Sequence, residues 1–229
     1  MLSQEVVDKL EVLENTTSIE KIKAILITVP GNYYAWNKFL TLIEAQNPSL
    51  SELRQFSNLV LEKGAKCYQA WNFRRILYSN CTDSALKHKV LQEELNYVED
   101  YISKDLKNMH AWDFYGFLLA EKSILKQYAV DSFFFCIDLL RIDAANSSVY
   151  NHICWLLKES KDQVLLYVKE FIVGLSQSKV ANTFLSESTL SFLVCVLKHM
   201  LSLEVTGEEE QNTLQEIKAG VFSFVEYVS

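Results

Sequence analysis

The chain repeats one phrase, which reads Gly31-Asn32-Tyr33-Tyr34-Ala35-Trp36, then Lys66-Cys67-Tyr68-Gln69-Ala70-Trp71, then Lys107-Asn108-Met109-His110-Ala111-Trp112. A fourth, degenerate copy reads Asn146-Ser147-Ser148-Val149-Tyr150, with tyrosine in the place of tryptophan. The anchor rings at 36, 71, 112 and 150 are 35, 41 and 38 residues apart. Recurrence at this interval is typical of helical-repeat arrays, in which each unit buries its apolar face against its neighbours. The phrase therefore predicts an all-α fold.

The composition agrees with long helices. The 229 residues include only six glycines and two prolines, so long stretches lack the residues that break helices most strongly. A hydrophobic content of 49% with 22% charged residues argues against disorder. A formal net charge of −7 argues against a general nucleic-acid binder, which needs a basic face to neutralise phosphates.

The cysteines predict a reducing compartment. Five cysteines, an odd number, are widely spaced and do not resemble a disulfide framework. We expect Cys136, Cys154 and Cys195 to be small core residues. A metal site at His152 and Cys154 is not expected, because side chains two apart on a helix point in different directions. No apolar run reaches membrane-spanning length and residues 1–5 lack the features of a signal peptide, so we predict a cytoplasmic protein.

Apolar periodicity and turn residues predict one repeat domain over residues 1–229. The anchor rings are expected to wedge between successive helices, since large rings supply contact area at low entropic cost. The predicted helical hairpins occupy approximately residues 4–45, 50–80, 84–122 and 126–158, followed by a degenerate unit at 162–202 and a terminal helix at 211–228.

The best-preserved unit is Lys66-Cys67-Tyr68-Gln69-Ala70-Trp71-Asn72-Phe73-Arg74-Arg75. It resembles the repeat of protein prenyltransferase α-subunits, which reads approximately Pro, Lys or Gly, Asn, Tyr, two variable residues, Trp, two variable residues, Arg, Arg. Tetratricopeptide repeats have a similar period, but their pattern of Trp, Gly, Tyr and Pro is absent. The resemblance covers roughly residues 18–158. It implies a right-handed α-α superhelix of helical hairpins.

The resemblance also implies a function. The chain would be the α-subunit of a heterodimer that transfers farnesyl or geranylgeranyl from its diphosphate to the cysteine thiol of C-terminal CaaX proteins. The β-subunit would hold the catalytic zinc and most of the isoprenoid pocket, and this chain would bind no cofactor of its own. A requirement for magnesium in the heterodimer stays open. We expect the isolated chain to be inactive and to need its partner for solubility.

By its place in the phrase, Lys66 would contribute a positive charge to the departing diphosphate, where negative charge grows in the transition state. Tyr68 would orient or pack beside that lysine, and Tyr33 would line the peptide channel. Gln69 would donate to the C-terminal carboxylate of a CaaX substrate, because an amide can donate without adding charge. The third phrase would add Asn108 and His110 to the substrate-binding set.

The arginine and tryptophan positions of the phrase are expected to be structural. Arg74, a planar donor, would satisfy polar groups between repeats or at the subunit interface. The rings of Trp36, Trp71 and Trp112 would hold the repeats together. Glu93-Glu94 and Glu208-Glu209-Glu210 are expected to be solvated helix faces or helix starts.

Some residues depart from the family pattern and leave alternatives open. Met109 stands where the family has a tyrosine, and only the second unit keeps the arginine three residues after its anchor. Gln69 favours a CaaX-type subunit, whereas Asp113 favours the Rab geranylgeranyltransferase type. A helical-repeat scaffold without chemistry is the third possibility. The choice between farnesyl and geranylgeranyl is not encoded here, because that pocket would lie in the partner.

Overall fold

The computed structural model describes residues 16–177, 188–189, 191–194, 196 and 208–228, and every regular element among them is an α-helix. The predicted all-α class is confirmed. The predicted helix at 4–13, Cys195 and most of the predicted helix at 186–202 lie outside the described residues. The helices are α1 Ile19–Thr28, α2 Tyr33–Gln46, α3 Leu50–Lys63, α4 Tyr68–Ser79, α5 Ser84–Lys104, α6 Met109–Leu119, α7 Lys122–Ile142, α8 Ser147–Glu159, α9 Lys161–Gln177 and α10 Glu208–Val228.

The helices form consecutive pairs and divide into two compact units. Unit 1 ends at Ile102 and also includes Asn108–Tyr115, whereas unit 2 comprises Ser103–Lys107 and continues from Gly116. In unit 1, α1 packs against α2 and α3, and α3 packs against α4. In unit 2, α7 packs against α8 and α9, α8 packs against α9, and α9 packs against α10. The single repeat domain and the right-handed superhelix remain predictions.

Local sequence explains where the helices of unit 1 begin and end. Ser49 and Glu52 form a reciprocal capping box at the start of α3. The hydrogen bonds from Ser49 hold the pKa of the Glu52 carboxyl below its ordinary value. At the end of α2, Asn47 adopts the left-handed conformation (φ 45°), which asparagine tolerates better than most residues. The Asp83 carboxylate accepts from the Leu86 amide at 2.7 Å and caps α5.

The core of unit 1 is aromatic. The buried ring of Trp36 lies among Phe39 of α2, Phe56 of α3 and Phe73 of α4, with centroid distances between 5.5 and 6.2 Å. One repeat further along, the Trp71 ring packs against the rings of Tyr101 in α5 and Phe114 in α6, with centroid distances of 5.4 and 5.5 Å. Trp36 and Trp71 therefore each join their own helix to helices of the following repeat. In the described residues, no helix is both long and apolar enough to cross a membrane.

A buried ion pair joins the second repeat to the third. The Arg74 guanidinium donates to both carboxylate oxygens of Glu94 at 2.7 and 2.8 Å, and both side chains are buried. Arg54 donates to the same carboxylate at 2.6 Å, and the Arg74 guanidinium lies 3.8 Å from the centroid of the Tyr97 ring. The expectation that Glu94 is solvated is wrong, because it sits on the face of α5 that these two arginines cover. Glu93 is the exposed member of the acidic pair, and the side chains of 208–210 lie outside the described residues.

Loss of Arg74 should therefore be costly. We predict that Arg74→Ala lowers the free energy of unfolding by about 3 kcal/mol, because it leaves a buried carboxylate with only part of its compensation. The matched control is Arg75→Ala, since Arg75 makes a half-exposed ion pair with Asp113 and should change stability by about 0–1 kcal/mol. Urea unfolding measures both variants. Equal losses would contradict the assigned importance of the Glu94 pair.

Unit 2 contains a buried polar contact between two helices. The Ser132 hydroxyl of α7 and the His152 Nε2 of α8 are 3.0 Å apart, and both residues are buried. The His152 ring also lies on that of Trp155, with centroids 5.2 Å apart. Burial lowers the pKa of His152 to about 3, so this histidine is neutral. Cys136 and Cys154 are buried in the core of unit 2, as expected from their apolar surroundings.

This neutral histidine makes unit 2 sensitive to acid. Its folded pKa lies below the unfolded value, about 6.5, so the unfolded chain binds a proton that the folded chain does not, and stability falls as the pH falls below about 6.5. Between pH 7 and pH 5 we expect the wild type to lose about 2 kcal/mol more than His152→Gln. Urea unfolding at a series of pH values checks this, with exposed His88→Gln as the control. Parallel stability curves for wild type and His152→Gln would contradict it.

Candidate functional site

The repeated phrase forms the turn before each anchor helix and the first turn of that helix. The residue four positions before the anchor ring is the N-cap, and in three of the four repeats it is an asparagine. The Asn32 Oδ1 accepts from the Ala35 amide at 3.0 Å, and the Asn108 Oδ1 accepts from the Ala111 amide at 3.3 Å. The Asn146 Oδ1 likewise accepts from the Val149 amide at 3.3 Å. Cys67 occupies the equivalent position in α4 but makes no side-chain cap bond.

The anchor ring itself bonds to the turn that precedes it. The indole Nε1 of Trp36 donates to the Pro30 carbonyl at 2.7 Å, and that of Trp71 donates to the Ala65 carbonyl at 2.8 Å. In the fourth unit the Tyr150 hydroxyl replaces the indole and donates to the Ala144 carbonyl at 2.9 Å. In these three repeats the acceptor is six residues before the ring. A tyrosine can therefore replace tryptophan here, since it retains both a large ring and a donor.

Two of these carbonyls accept a second bond from the next repeat. The Cys67 thiol donates to the Pro30 carbonyl at 3.0 Å, and the Asn108 Nδ2 donates to the Ala65 carbonyl at 2.9 Å. The Asn146 Nδ2 reaches the Leu106 carbonyl at 3.4 Å. We call this series of contacts the carbonyl ladder. Sequence reasoning missed it, although the recurrence of asparagine four residues before the anchor was a usable signal.

The carbonyl ladder holds the turn that carries Lys66. The carbonyl of the preceding residue, Ala65, accepts from Trp71 of the same repeat and from Asn108 of the next repeat. Gly64 packs so closely on Pro30 that a Cβ there would lie 3.0 Å from two of its carbons. Because the backbone on the N-terminal side of Lys66 is fixed by these contacts, the exposed lysine projects from a defined turn.

Four predicted site residues lie at the N-terminal ends of α4 and α6, which the Asn108 bond holds together. Tyr68 is the first residue of α4 and is 58% exposed, and its ring meets the half-buried His110 ring edge-to-face with centroids 5.9 Å apart. Gln69 is half-buried, and its Oε1 lies 3.4 Å from the Cys67 thiol. Lys66 completes this group, which we call the second-repeat edge.

The remaining predicted residues lie elsewhere in unit 1. Tyr33 begins α2, is 64% exposed, and contacts the ring of Tyr34. Asn108 is fully buried, with both ends of its amide bonded inside the unit, so its observed role is to cap α6 and bind the second repeat. A substrate role for Asn108 stays a prediction. Met109 is 71% exposed beside the second-repeat edge, on the first turn of α6.

The chemistry open to the second-repeat edge is the binding of negative charge. The first backbone N–H groups of α4 and α6 have no partner within their helices, and they give each N-terminus a partial positive charge. Lys66 adds a full positive charge, and Tyr68, Gln69 and His110 add groups that can donate hydrogen bonds. Within the part of the chain that the structure describes, no group of three or more His, Cys, Asp or Glu side chains is placed to hold a metal ion.

Comparison with known sequences matches this geometry to a family. The family model for the protein prenyltransferase alpha subunit repeat matches residues 50–81 and 91–121. Two segments of the chain are therefore similar to protein prenyltransferase alpha subunit repeats. A relative is the geranylgeranyl transferase type-2 subunit alpha of Saccharomyces cerevisiae, 24% identical over 204 residues. The match covers 83% of this chain and 62% of the yeast protein, so the chain spans less than two thirds of that relative.

The two matched prenyltransferase repeats contain the second-repeat edge. Residues 50–81 include α3, α4, Lys66, Tyr68 and Gln69, and residues 91–121 include α6 with Asn108 and His110. Tyr33 lies outside both matched segments. The carbonyl contacts at Pro30 and Ala144 nevertheless follow the same spacing. The structure thus extends the repeat geometry to the first and fourth copies of the phrase.

The missing cap at Cys67 yields a stability prediction. Cys67→Asn should retain a donor for the Pro30 carbonyl and add an acceptor for the exposed amides of α4, which stabilises the fold by about 1 kcal/mol. Cys67→Ala removes the thiol contact and should be less stable than the wild type. Thermal or urea unfolding of the three proteins checks the order, Asn above Cys above Ala. An asparagine variant no more stable than the alanine variant would contradict it.

Proposed function

We propose that the chain is the α-subunit of a heterodimeric protein prenyltransferase, which transfers farnesyl or geranylgeranyl from its diphosphate to a cysteine thiol of a protein substrate. The observation that carries this proposal is the second-repeat edge. It presents Lys66, Tyr68, Gln69 and His110 together, at two adjoining helix N-termini, within the two repeats that match the family. A non-catalytic scaffold needs only the buried anchors and has no use for this exposed polar set.

Lys66 has the main chemical role in this proposal. Breaking the bond between the isoprenoid and its diphosphate builds negative charge on the departing group, and a positioned ammonium stabilises that charge. The turn that carries Lys66 is already fixed by the carbonyl ladder, so little reorganisation is needed when the substrate binds. The N-terminal dipoles of α4 and α6 add to the same positive potential.

The neighbouring side chains would orient the substrates. Tyr68 and His110 support each other through their ring contact, and each keeps a polar group that can donate to an anionic oxygen. Gln69 would receive the C-terminal carboxylate of the protein substrate through its amide nitrogen, since its oxygen lies against the Cys67 thiol. Zinc, which the proposal places on the partner subunit, would convert the substrate thiol to the reactive thiolate.

Exposed rings explain why this chain would need a β-subunit. Tyr33, Tyr34, Tyr68 and Met109 are each more than half exposed and all lie on the first turns of anchor helices in unit 1. Large exposed apolar side chains gathered on one edge are typical of protein–protein contact surfaces. A β-subunit that covers them would also close the second-repeat edge against water.

The protein substrate can be one of two kinds. Gln69 supports a CaaX protein, which carries a free C-terminal carboxylate for the amide to bind. The type-2 relative from yeast supports a Rab-type substrate instead. Asp113, whose identity also favours the Rab type, is paired with Arg75 of the preceding repeat. Because Asp113 serves the packing between repeats, it carries little information about the substrate, and we propose the CaaX class first.

Co-expression tests this function. The full chain would be produced with each candidate prenyltransferase β-subunit of the same organism, and the purified complexes assayed for transfer of labelled isoprenoid to a CaaX peptide. We expect Lys66→Ala to lower kcat at least a hundredfold, in line with the loss of one transition-state donor. Lys63→Ala is the matched control, since Lys63 is an exposed lysine in the last turn of α3, outside the phrase. It should retain full activity.

The other outcomes separate the remaining possibilities. Transfer to an escorted Rab protein, with none to CaaX peptides, would move the substrate to the type-2 class and keep the role of Lys66. A stable complex in which Lys66→Ala and Lys63→Ala are equally active would remove Lys66 from the site. Failure to bind any β-subunit would leave the scaffold as the function.

A further inference from the structure

An apolar groove lies at the opposite end of the anchor helices from the second-repeat edge. It has a volume of about 450 Å³ and lies in unit 1, between the C-terminal ends of α2 and α4 and the N-terminal ends of α3 and α5. Its walls are formed by leucine, isoleucine and phenylalanine side chains, among them Ile43, Phe73, Ile76 and Leu86. Ile76 and Leu86 are 36% and 45% exposed, so part of this apolar surface faces solvent.

The rim of the groove is negative. Of the described residues that line it, two are acidic, Glu44 and Asp83, and none is basic. Two helix C-terminal ends (α2 and α4) and two N-terminal ends (α3 and α5) meet at the groove, so their opposite partial charges offset one another, and the negative charge of the rim comes from these two carboxylates. Apolar walls under a negative rim are complementary to a chain segment that combines apolar and basic side chains.

We propose that this groove docks an apolar and basic segment of a partner protein, with a leucine-like side chain against Phe73 and Leu86 and a lysine or arginine at the Glu44 rim. The groove is partly open to solvent, which suits one face of a peptide segment better than a small molecule that must be largely enclosed. Residues 1–15 of this chain fit poorly, because they contain four acidic residues and one lysine. A second copy of a chain with net charge −7 is also a poor match.

The groove is separate from the second-repeat edge. Helices α2 and α4 have 14 and 12 residues, which places their two ends about 20 Å apart. A segment bound in the groove would therefore leave Lys66 and Tyr68 accessible. The inference does not depend on the proposed transferase function.

Binding of a designed probe tests the inference. The probe is a fluorescein-labelled 14-residue amphipathic peptide with leucines on one helical face and lysines on the other, titrated into the full chain and followed by anisotropy. Leu86→Ser should weaken binding about tenfold, because it removes one apolar wall. Its matched control is Leu59→Ser on α3, since Leu59 is 47% exposed and lies outside the groove. This control should bind like the wild type.

Two further variants test the negative rim. Glu44→Lys should weaken binding about fivefold, whereas Glu62→Lys, on an exposed position of α3, should change it little. Hydrogen exchange with the probe bound should protect the helix ends around 43–50 and 76–86. Absence of saturable binding, equal effects of Leu86→Ser and Leu59→Ser, or equal binding of a probe with every lysine replaced by glutamate would each overturn the inference.

Discussion

The carbonyl six residues before an anchor ring is the contact on which the first repeats of the array depend. At Pro30 and at Ala65 this one oxygen accepts from the ring of its own unit and from the cap residue of the next. A carbonyl oxygen has two lone pairs, so both bonds can form at once. The bond within a repeat sets the turn before the helix, and the bond between repeats sets the spacing of successive turns. Apolar packing alone would leave that spacing less defined.

This arrangement separates structural from functional residues within a phrase of six. In every copy, the anchor ring and the small residue before it are buried, whereas the first turn of the helix begins with an exposed residue. Tyr33, Tyr68, Met109 and Ser147 occupy that exposed position. The exposed residues can therefore change from copy to copy while the buried ones are retained. Lys66, Tyr68 and Gln69 can carry chemistry in the second copy because Trp71 and Asn108 already carry the structure.

The second repeat is also tied to both of its neighbours by charged and polar bonds. Arg74 bonds to Glu94 and Arg75 bonds to Asp113, both in the following repeat. The Cys67 thiol bonds to the Pro30 carbonyl in the preceding repeat. Burial raises the pKa of the Cys67 thiol, which keeps it protonated as a donor. Bonds at its N-cap and in its middle therefore hold α4 against both neighbouring repeats. That rigidity is what a group positioned for transition-state charge requires.

The sequence by itself determined the helical class and the repeat, because the anchor rings and their spacing are local features read directly from the chain. It also placed Lys66, Tyr68 and Gln69 in the second phrase, and His110 in the third phrase at the position that corresponds to Gln69. Only the tertiary structure decided that Glu94 is buried, since its partners Arg54 and Arg74 are 40 and 20 residues away. It likewise decided that Asn108 bonds to the carbonyl of Ala65, 43 residues earlier, and that the ends of four helices enclose an apolar groove. Contacts at such separations depend on how helices pack, and periodicity along one helix does not encode them.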